Sequence, residues 1–514
     1  MFRSRTSDGA LSRDRARLLR RSVTRGVVVV ALVVPYAAAG PVSHAAPNSI
    51  YRMGSAAWGD NAQGQLGLGG TQTAHTAAPM PGMTVFSQVS AGGSHTIALA
   101  KDGTVWTWGA NYYGALGNGT TAPSLVPTQV PGLSGVVDVA ADLDSSFAVD
   151  SAGTLWAWGL NLPNAGNLGL GTGAPVANVV PQAVPGISGV ADVEVGWHVG
   201  YARDLSGSLW TWGSNQSGTL GNGTYSGYRP YPAKVAGVTG VIDLAASRHA
   251  GMALRGDGWV VVWGHNFNQL FGEDPISATP LELFRIPGLR EIGAGLDSGA
   301  GLQDNGRVWT WGNNEHGQAG VDPDDRASVW PPHLMQLGQG ATRIAVGLVN
   351  TYALLNDGSV WAWGGNSSGS VGTGSIAAAN PDPAPVMGVV NASYVGSGPT
   401  ADHVVVVQPV LTDFSLTLEP DAGSVVPGGS VEAGLSLTPL NGFSATAALS
   451  VTGLPPHGIT IEPSATQVSA DKAVTITVRA APHLPPGVYA FAISGAVGST
   501  VRSVPFSLTV TPPP

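Results

Sequence analysis

Polar side chains that could act together in catalysis recur about every fifty residues along this 514-residue chain. When the recurring units are aligned, one position is occupied in turn by Gln88, Asp138, Asp192, Asp243, Glu291, Arg343 and Ser393. Glycoside hydrolysis uses two carboxyl groups roughly 5–9.5 Å apart, so Asp138 and Asp192 are candidates for catalysis on an extracellular polysaccharide. We favour the alternative that these residues hydrogen-bond adjacent loops, because Arg343 interrupts the acidic series.

No cofactor or metal ion is predicted. The chain has no Cys, and His95, His198 and His249 do not recur as pairs with metal-ligand spacing. The acidic loop 322–325 lacks the ligand spacing of a calcium-binding loop, so we interpret it as solvated, with calcium binding as the alternative. The sequence also contains no glycine-rich phosphate cradle before a helix and no Ser-His-Asp signature. These features favour a binding protein over an enzyme.

The best candidates for binding follow each copy of the tetrapeptide Trp-Gly-x-Asn, where two positions vary between units while the surrounding residues repeat. Aromatic side chains on such a turn have little core to fill, and tyrosine is favoured at interfaces. We therefore predict partner contacts at Tyr112, Tyr113 and Phe267, and at Trp197, which stands outside the repeated tryptophans. The alternative is that each of them packs against a neighbouring loop.

Seven repeats must position these residues. The tetrapeptide begins at Trp58, Trp108, Trp158, Trp212, Trp263, Trp311 and Trp363. In six units two short apolar segments flank a turn containing glycine, such as Asp102-Gly103, which predicts a β-hairpin before the motif. A unit of about fifty residues with several short strands is the size of one four-stranded propeller blade.

The seventh unit predicts how the ring closes. Its last apolar segment, 403–407, is followed by no tryptophan strand, whereas residues 56–58 stand near the N-terminus without a hairpin partner. We predict that the N-terminal strand completes the last blade and removes the free sheet edges. The predicted fold is therefore all-β, with a seven-bladed propeller over residues 47–408 that its N-terminal strand closes.

The repeated Trp-Gly-x-Asn, the Gly64-Gln65-Leu66-Gly67 return and the segment 92–96 before an Asp-Gly hairpin resemble the regulator of chromosome condensation repeat family. The resemblance covers residues 53–408 and implies a seven-bladed propeller. The eukaryotic founder of that family is a guanine nucleotide exchange factor for the small GTPase Ran and docks on chromatin, and an exported bacterial relative inhibits β-lactamases through one propeller face. Neither activity transfers residue by residue, because the loops of this chain match no family signature.

From residue 409 to 514 the repeat gives way to seven alternating segments that predict a β-sandwich. These segments are 414–418, 431–437, 447–451, 459–461, 474–478, 488–493 and 506–510. The region resembles the immunoglobulin-like modules of exported bacterial proteins. It contains few aromatic residues, so we expect a spacer or display role.

Residues 1–46 have the layout of a secretory signal peptide, with eight arginines before an apolar run and a small-residue cleavage region. They contain eight of the 23 basic and two of the 32 acidic residues, so the chain without them has a formal net charge of −15. This charge disfavours nucleic acid and anionic membrane surfaces as partners. The signal peptide predicts secretion or display at the cell surface.

We therefore expect an exported, non-enzymatic, monomeric protein that binds a protein or another cell-surface macromolecule through one loop-covered face. Catalysis on extracellular polysaccharide is the alternative. Guanine nucleotide exchange is a third hypothesis, which the predicted export disfavours. No membrane insertion is expected after the signal peptide is cleaved.

Overall fold

The computed structural model describes residues 51–514 except 83, 267–269, 271, 273–275, 412, 441–442, 444, 454–457, 499 and 514. The predicted signal peptide, residues 1–46, and the candidate contact Phe267 lie outside the described residues. All regular structure in the described part of the chain is β-strand. The same residues include no helix of the length and hydropathy needed to cross a membrane.

Among the described residues, twenty-eight strands precede residue 412. The first fourteen are β1 (Tyr51–Gly59), β2 (Ala74–Pro79), β3 (Phe86–Ala91), β4 (His95–Ala100), β5 (Val105–Gly109), β6 (Ser124–Gln129), β7 (Val136–Ala141), β8 (Ser145–Asp150), β9 (Leu155–Leu160), β10 (Ala177–Ala183), β11 (Val190–Gly196), β12 (Val199–Asp204), β13 (Leu209–Ser214) and β14 (Tyr228–Lys234). The next fourteen are β15 (Val241–Ala246), β16 (Ala250–Arg255), β17 (Trp259–His265), β18 (Ile276–Arg285), β19 (Leu289–Ala294), β20 (Ser298–Gln303), β21 (Val308–Asn313), β22 (Ser328–Leu334), β23 (Ala341–Val346), β24 (Asn350–Leu355), β25 (Val360–Gly365), β26 (Ala379–Pro385), β27 (Tyr394–Gly396) and β28 (His403–Leu411).

These strands form seven four-stranded antiparallel sheets. Six sheets consist of four consecutive strands each, beginning with β3–β6 and ending with β23–β26. The seventh has the order β2-β1-β28-β27, so it joins the two ends of this region. The predicted N-terminal closure is confirmed: β1 pairs with β28 over nine residues, from Tyr51 opposite Leu411 to Gly59 opposite His403.

The seven tryptophans of the repeated motif are fully buried. Six of them donate an indole N–H to a backbone carbonyl in the long loop of the preceding sheet, as Trp108 does to Gln65 at 2.7 Å and Trp58 does to Ser370 at 2.8 Å. Each therefore joins two sheets by packing and by a satisfied polar group. Another tryptophan, such as Trp106, lies two residues before the motif tryptophan on the same strand and is half-buried.

The glycine of the motif is required by a close backbone approach. Gly109 has a φ of 101°, and a Cβ at this position would lie 2.5 Å from the carbonyl oxygen of Ser94. Any other residue would be strained in φ and would clash with backbone. Because Ser94 precedes β4 and Gly109 ends β5, this contact holds the long loop against the first turn of the sheet.

The chain after residue 412 forms two further sheets that enclose one hydrophobic core. Its strands are β29 (Asp413–Glu419), β30 (Ala422–Val425), β31 (Ser430–Leu440), β32 (Ala447–Thr452), β33 (Ile459–Pro463), β34 (Gln467–Val468), β35 (Val474–Ala480), β36 (Gly487–Val497) and β37 (Thr500–Val510). One sheet has the order β29-β31-β35-β33 and the other β30-β37-β36-β32-β34. Phe414 from the first sheet and Phe506 from the second are both buried in the core. All seven predicted segments are strands, and two short strands, β30 and β34, were not predicted.

Candidate functional site

The variable residues and Trp197 lie at the same end of their sheets. In an antiparallel sheet of four consecutive strands, the first turn and the third connection emerge at one end, and the second turn emerges at the other. The Trp-Gly-x-Asn loops are third connections, and Trp197 is in the first turn between β11 and β12. We call this end, with its loops and first turns, the loop face.

In five repeats the asparagine of the motif organises the long loop. Asn111 is fully buried; its Oδ1 accepts from the backbone N–H of Leu116 at 2.9 Å, and its Nδ2 donates to the carbonyls of Thr120 and Ala122 at 3.0 and 2.9 Å. The same bond to the N–H five residues later is made by Asn61, Asn215, Asn314 and Asn366. One side chain thus supplies hydrogen bonds that the loop backbone would otherwise need from a neighbouring strand. The two variable positions are left facing outward.

Tyr112 and Tyr113 are exposed on the loop face, with 62% and 39% of their surfaces accessible. The hydroxyl of Tyr112 donates to Oε1 of Gln63, a variable residue of the preceding loop, at 2.7 Å. Tyr112 therefore contacts a neighbouring loop and still presents most of its ring to solvent. Large, oriented and exposed aromatic rings are suited to partner binding.

Trp197 occupies a strained turn. Trp197 and His198 have φ values of 46° and 72°, in the left-handed region that residues with a Cβ rarely adopt. The buried carboxylate of Asp142, from the preceding sheet, accepts both of their backbone N–H groups at 2.9 and 2.8 Å. A neighbouring sheet thus stabilises a turn conformation that is costly by itself.

This turn holds Trp197 beside an exposed arginine. The Arg248 guanidinium lies 4.1 Å from the centre of the indole ring, a cation–π distance, and forms no ion pair within the described residues. The indole Nε1 is buried and has no hydrogen-bond partner among them. Beside this pair is a cavity of about 430 Å³, lined by both residues and by Leu162, Pro163, His198 and Gln216. The exposed guanidinium can donate to an acceptor of a partner while the indole ring holds it in place.

The predicted residues form two separate areas. Tyr112 contacts Gln63, and neither Tyr112 nor Tyr113 lines the cavity that Trp197 lines. Sequence reasoning missed Arg248, although it occupies the turn position equivalent to Trp197. Aligning the two turns in the sequence was the signal that could have identified Arg248.

The aligned polar residues converge on a central cavity of about 340 Å³. Those that line it are Gln88, Asp138, Asp192, Asp243, Glu291 and Arg343. The carboxylates of Asp138, Asp243 and Glu291 accept backbone N–H groups of the next sheet, at 2.9, 2.6 and 3.2 Å. The prediction that these residues hydrogen-bond adjacent loops is wrong in one respect. Their bonds reach the first strand of the next sheet and not a loop.

Two details of this cavity differ from the alignment. Ser393 does not line it, and the following residue, Tyr394, does, with its ring 4.1 Å from the Arg343 guanidinium. Glu194, two residues after Asp192 and so on the same strand face, also lines it. Burial, together with the charges of Asp192 and Asp138, raises the pKa of Glu194 well above its usual value.

In the described part of the chain, no group of three or more His, Asp or Glu side chains is arranged to hold a metal ion. In the acidic loop, Oδ1 of Asp322 accepts from the backbone N–H of Asp324 at 3.0 Å. His95 and His403 are buried, with Nε2 at 2.9 Å from Ser146 Oγ and at 2.7 Å from Thr96 Oγ1 respectively. These histidines make contacts between sheets.

Buried His95 predicts an acid-sensitive fold. Burial lowers its pKa from 6.5 to about 4, so the unfolded chain binds a proton that the folded protein excludes. Its contribution to stability is therefore complete above pH 6.5 and is lost as the pH falls toward 4. Between about pH 7.5 and about pH 5 we expect the free energy of unfolding of wild type to fall by about 2 kcal/mol more than that of His95→Asn. Urea unfolding at both pH values measures this, and equal losses would contradict it.

Known proteins resemble this chain over its repeats. A segment of 113 residues is 32% identical to the E3 ubiquitin-protein ligase HERC2 of Mus musculus and covers 21% of this chain but 2% of the ligase. Another of 128 residues is 30% identical to the mitochondrial RCC1 domain-containing protein RUG3 of Arabidopsis thaliana and covers 24% of this chain and 28% of that protein. The chain thus spans only a small part of the length of these relatives.

Solved structures show the same fold. Human WBSCR16 superposes with a TM-score of 0.62 at 21% identity, over 70% of this chain and 99% of that one. Prp20p of Saccharomyces cerevisiae superposes with a TM-score of 0.61 at 23% identity, over 70% of this chain and 93% of that one. The family model of the RCC1-like domain matches residues 54–406, more than half of the chain. The protein therefore belongs to the RCC1-like family, and its repeats form a β-propeller.

Proposed function

We propose that this protein is an exported, non-enzymatic propeller that binds a protein partner through its loop face. Its seven four-stranded sheets are the seven blades of a closed ring, and the two sheets after residue 412 are an immunoglobulin-like sandwich that serves as spacer or display module. Export rests on the signal-peptide layout of residues 1–46.

The observation that carries this proposal is the pair of Trp197 and Arg248. Asp142 fixes the strained turn, the guanidinium stacks on the indole ring, and both side chains line a cavity on the loop face. Tryptophan and arginine are the residues most enriched among binding hot spots, and a side chain fixed before binding loses less entropy on binding. Strain held in place by a neighbouring sheet is typical of functional positions.

Two of the solved structures that resemble this chain support a protein as the partner class. Both are of the yeast protein Prp20p, which binds Gsp1p and histones and is also known bound to Kap60. The propeller of this chain has the fold of a protein that binds other proteins. The similarity does not identify the partners of this chain, because the sequence identity to these structures is below a quarter.

The cavity carboxylates favour binding over catalysis. Both oxygens of Asp138 are engaged, one with Gln88 and the other with the backbone of Val193. A general acid or base needs an oxygen directed at substrate. We infer that these carboxylates join adjacent blades.

Partner capture tests the proposal. Full-length wild type, Trp197→Ala, Arg248→Ala and the outer-strand control Tyr228→Ala would be immobilised and exposed to culture fluid and cell-surface extract. We expect a specific protein to be retained by wild type and by Tyr228→Ala and to bind at least about tenfold more weakly to the two loop-face variants. Retention of the same proteins by all four chains would refute a site at Trp197.

A further inference from the structure

A cavity between two neighbouring sheets shares no lining residue with the loop-face cavity. Its volume is about 550 Å³, and it opens between the sheet β11–β14 and the next sheet, β15–β18. Residues of β14 and of the connections before and after it form one wall, and residues of β16, β17 and β18 form the other. A cavity of this size can hold a ligand as large as a sugar.

Three cationic side chains line this cavity, in a protein whose net charge is negative: Arg229, Lys234 and Arg255. Two of them are already neutralised. The Lys234 ammonium lies 3.1 Å from Oδ2 of Asp204, and the Arg255 guanidinium pairs with Glu282 and Asp257. Glu282 is the one acidic residue of the lining, and its charge is used by Arg255.

Arg229 is the third cation, and it is unpaired within the described residues. It forms no salt bridge there, and its Nη1 is buried without a hydrogen-bond partner. Partial burial, with no compensating carboxylate, lowers the pKa of its guanidinium. Nη1 is thus shielded from water without an acceptor, and a buried unpaired guanidinium N–H is costly.

The rest of the lining suits a ligand with an anionic group and an uncharged body. Asn222 and Thr279 add polar atoms, and Val235, Val238 and Pro280 add apolar surface. A guanidinium has a planar fork of donors that matches the two oxygens of a carboxylate or a phosphate. One oxyanion placed against Arg229 would balance the charge that the protein leaves unbalanced.

We propose that the cavity between β14 and β17–β18 binds an oxyanionic ligand of sugar size, whose carboxylate or phosphate pairs with Arg229. This site goes beyond the proposed loop-face function, because it lies between two sheets and needs no protein partner. Carboxylates of acidic sugars and phosphate esters share this chemistry.

Calorimetry and thermal unfolding of the full chain test the site. The probes are sodium glucuronate and sodium phosphate, with glucose and sodium chloride at equal ionic strength as controls. We expect saturable binding and a raised melting temperature with at least one oxyanion, and neither effect with glucose or chloride. Glucuronate alone would assign an acidic sugar, and inorganic phosphate alone a phosphate ester.

Arg229→Gln is the decisive variant, and exposed Arg307→Gln, in the hairpin before β21, is its matched control. We expect Arg229→Gln to bind at least tenfold more weakly, while its melting temperature without ligand is equal to or above that of wild type, because an uncompensated charge is removed. Arg307→Gln should bind like wild type. Equal binding by Arg229→Gln and wild type, or a response to chloride that matches the oxyanions, would overturn the proposal.

Discussion

A chain that begins at residue 60 and so lacks β1 is expected to lose its cooperative fold. β1 supplies nine consecutive pairs with β28, and without it the seventh sheet is split into β2 on one side and β27–β28 on the other. Trp58 alone should account for a loss of about 3–5 kcal/mol, the usual cost of removing a buried tryptophan. Because many domains are stable by only about 5–15 kcal/mol, loss of the whole strand removes most of the margin.

Urea unfolding monitored by tryptophan fluorescence measures this loss. A synthetic peptide of residues 51–59 should restore the cooperative transition by strand addition, and the same peptide with Trp58→Ala should restore far less. The Trp58 indole donates to Ser370 of the preceding sheet, so the peptide must fill a specific place in the core. A shortened chain with the same urea midpoint as the full chain would contradict the closure.

The architecture was predictable because its causes are local in sequence. Six of the seven motif tryptophans follow a hairpin glycine, and each of these six units forms a sheet of four consecutive strands. The N-terminal closure followed from one unpaired segment, 56–58. Strands β30 and β34 were missed because four and two residues carry no alternating pattern that periodicity can detect.

The candidate sites were only partly predictable, because they depend on which side chains lack a partner in the folded protein. Tyr112, Tyr113 and Trp197 stood out as exceptions to the repeat, and their roles in binding stay predictions. Nothing in the local sequence around Arg229 indicates that it lacks a carboxylate partner, since Lys234, five residues later, has one. Whether a charge is paired depends on the neighbouring sheet.

Asn111→Ala is expected to lower the free energy of unfolding by about 2–4 kcal/mol. The substitution leaves the buried N–H of Leu116 and the carbonyls of Thr120 and Ala122 without their partner. Each unsatisfied buried group costs about 1–3 kcal/mol, although the carbonyls lie nearer to water. The loop that carries Tyr112 should also lose its fixed conformation, so hydrogen exchange at the N–H of Leu116 should accelerate.

The chain contains a matched control for this experiment in its third repeat. Asn161 occupies the same motif position and is also buried, but its Oδ1 has no hydrogen-bond partner within the described residues. Asn167 has taken over its role: Oδ1 accepts from the N–H of Leu162 at 2.8 Å, and Nδ2 donates to the carbonyl of Leu160 at 2.7 Å.

Asn161→Ala should therefore cost less than about 1 kcal/mol, whereas Asn167→Ala should cost as much as Asn111→Ala. Urea unfolding of the three variants separates two explanations of the repeated asparagine. If hydrogen bonding to the loop is its purpose, the loss follows the bonds and not the motif position. If Asn161→Ala instead destabilises the protein as much as Asn111→Ala, the buried asparagine acts by packing, and the loop is held by its glycines and by contact with the next sheet.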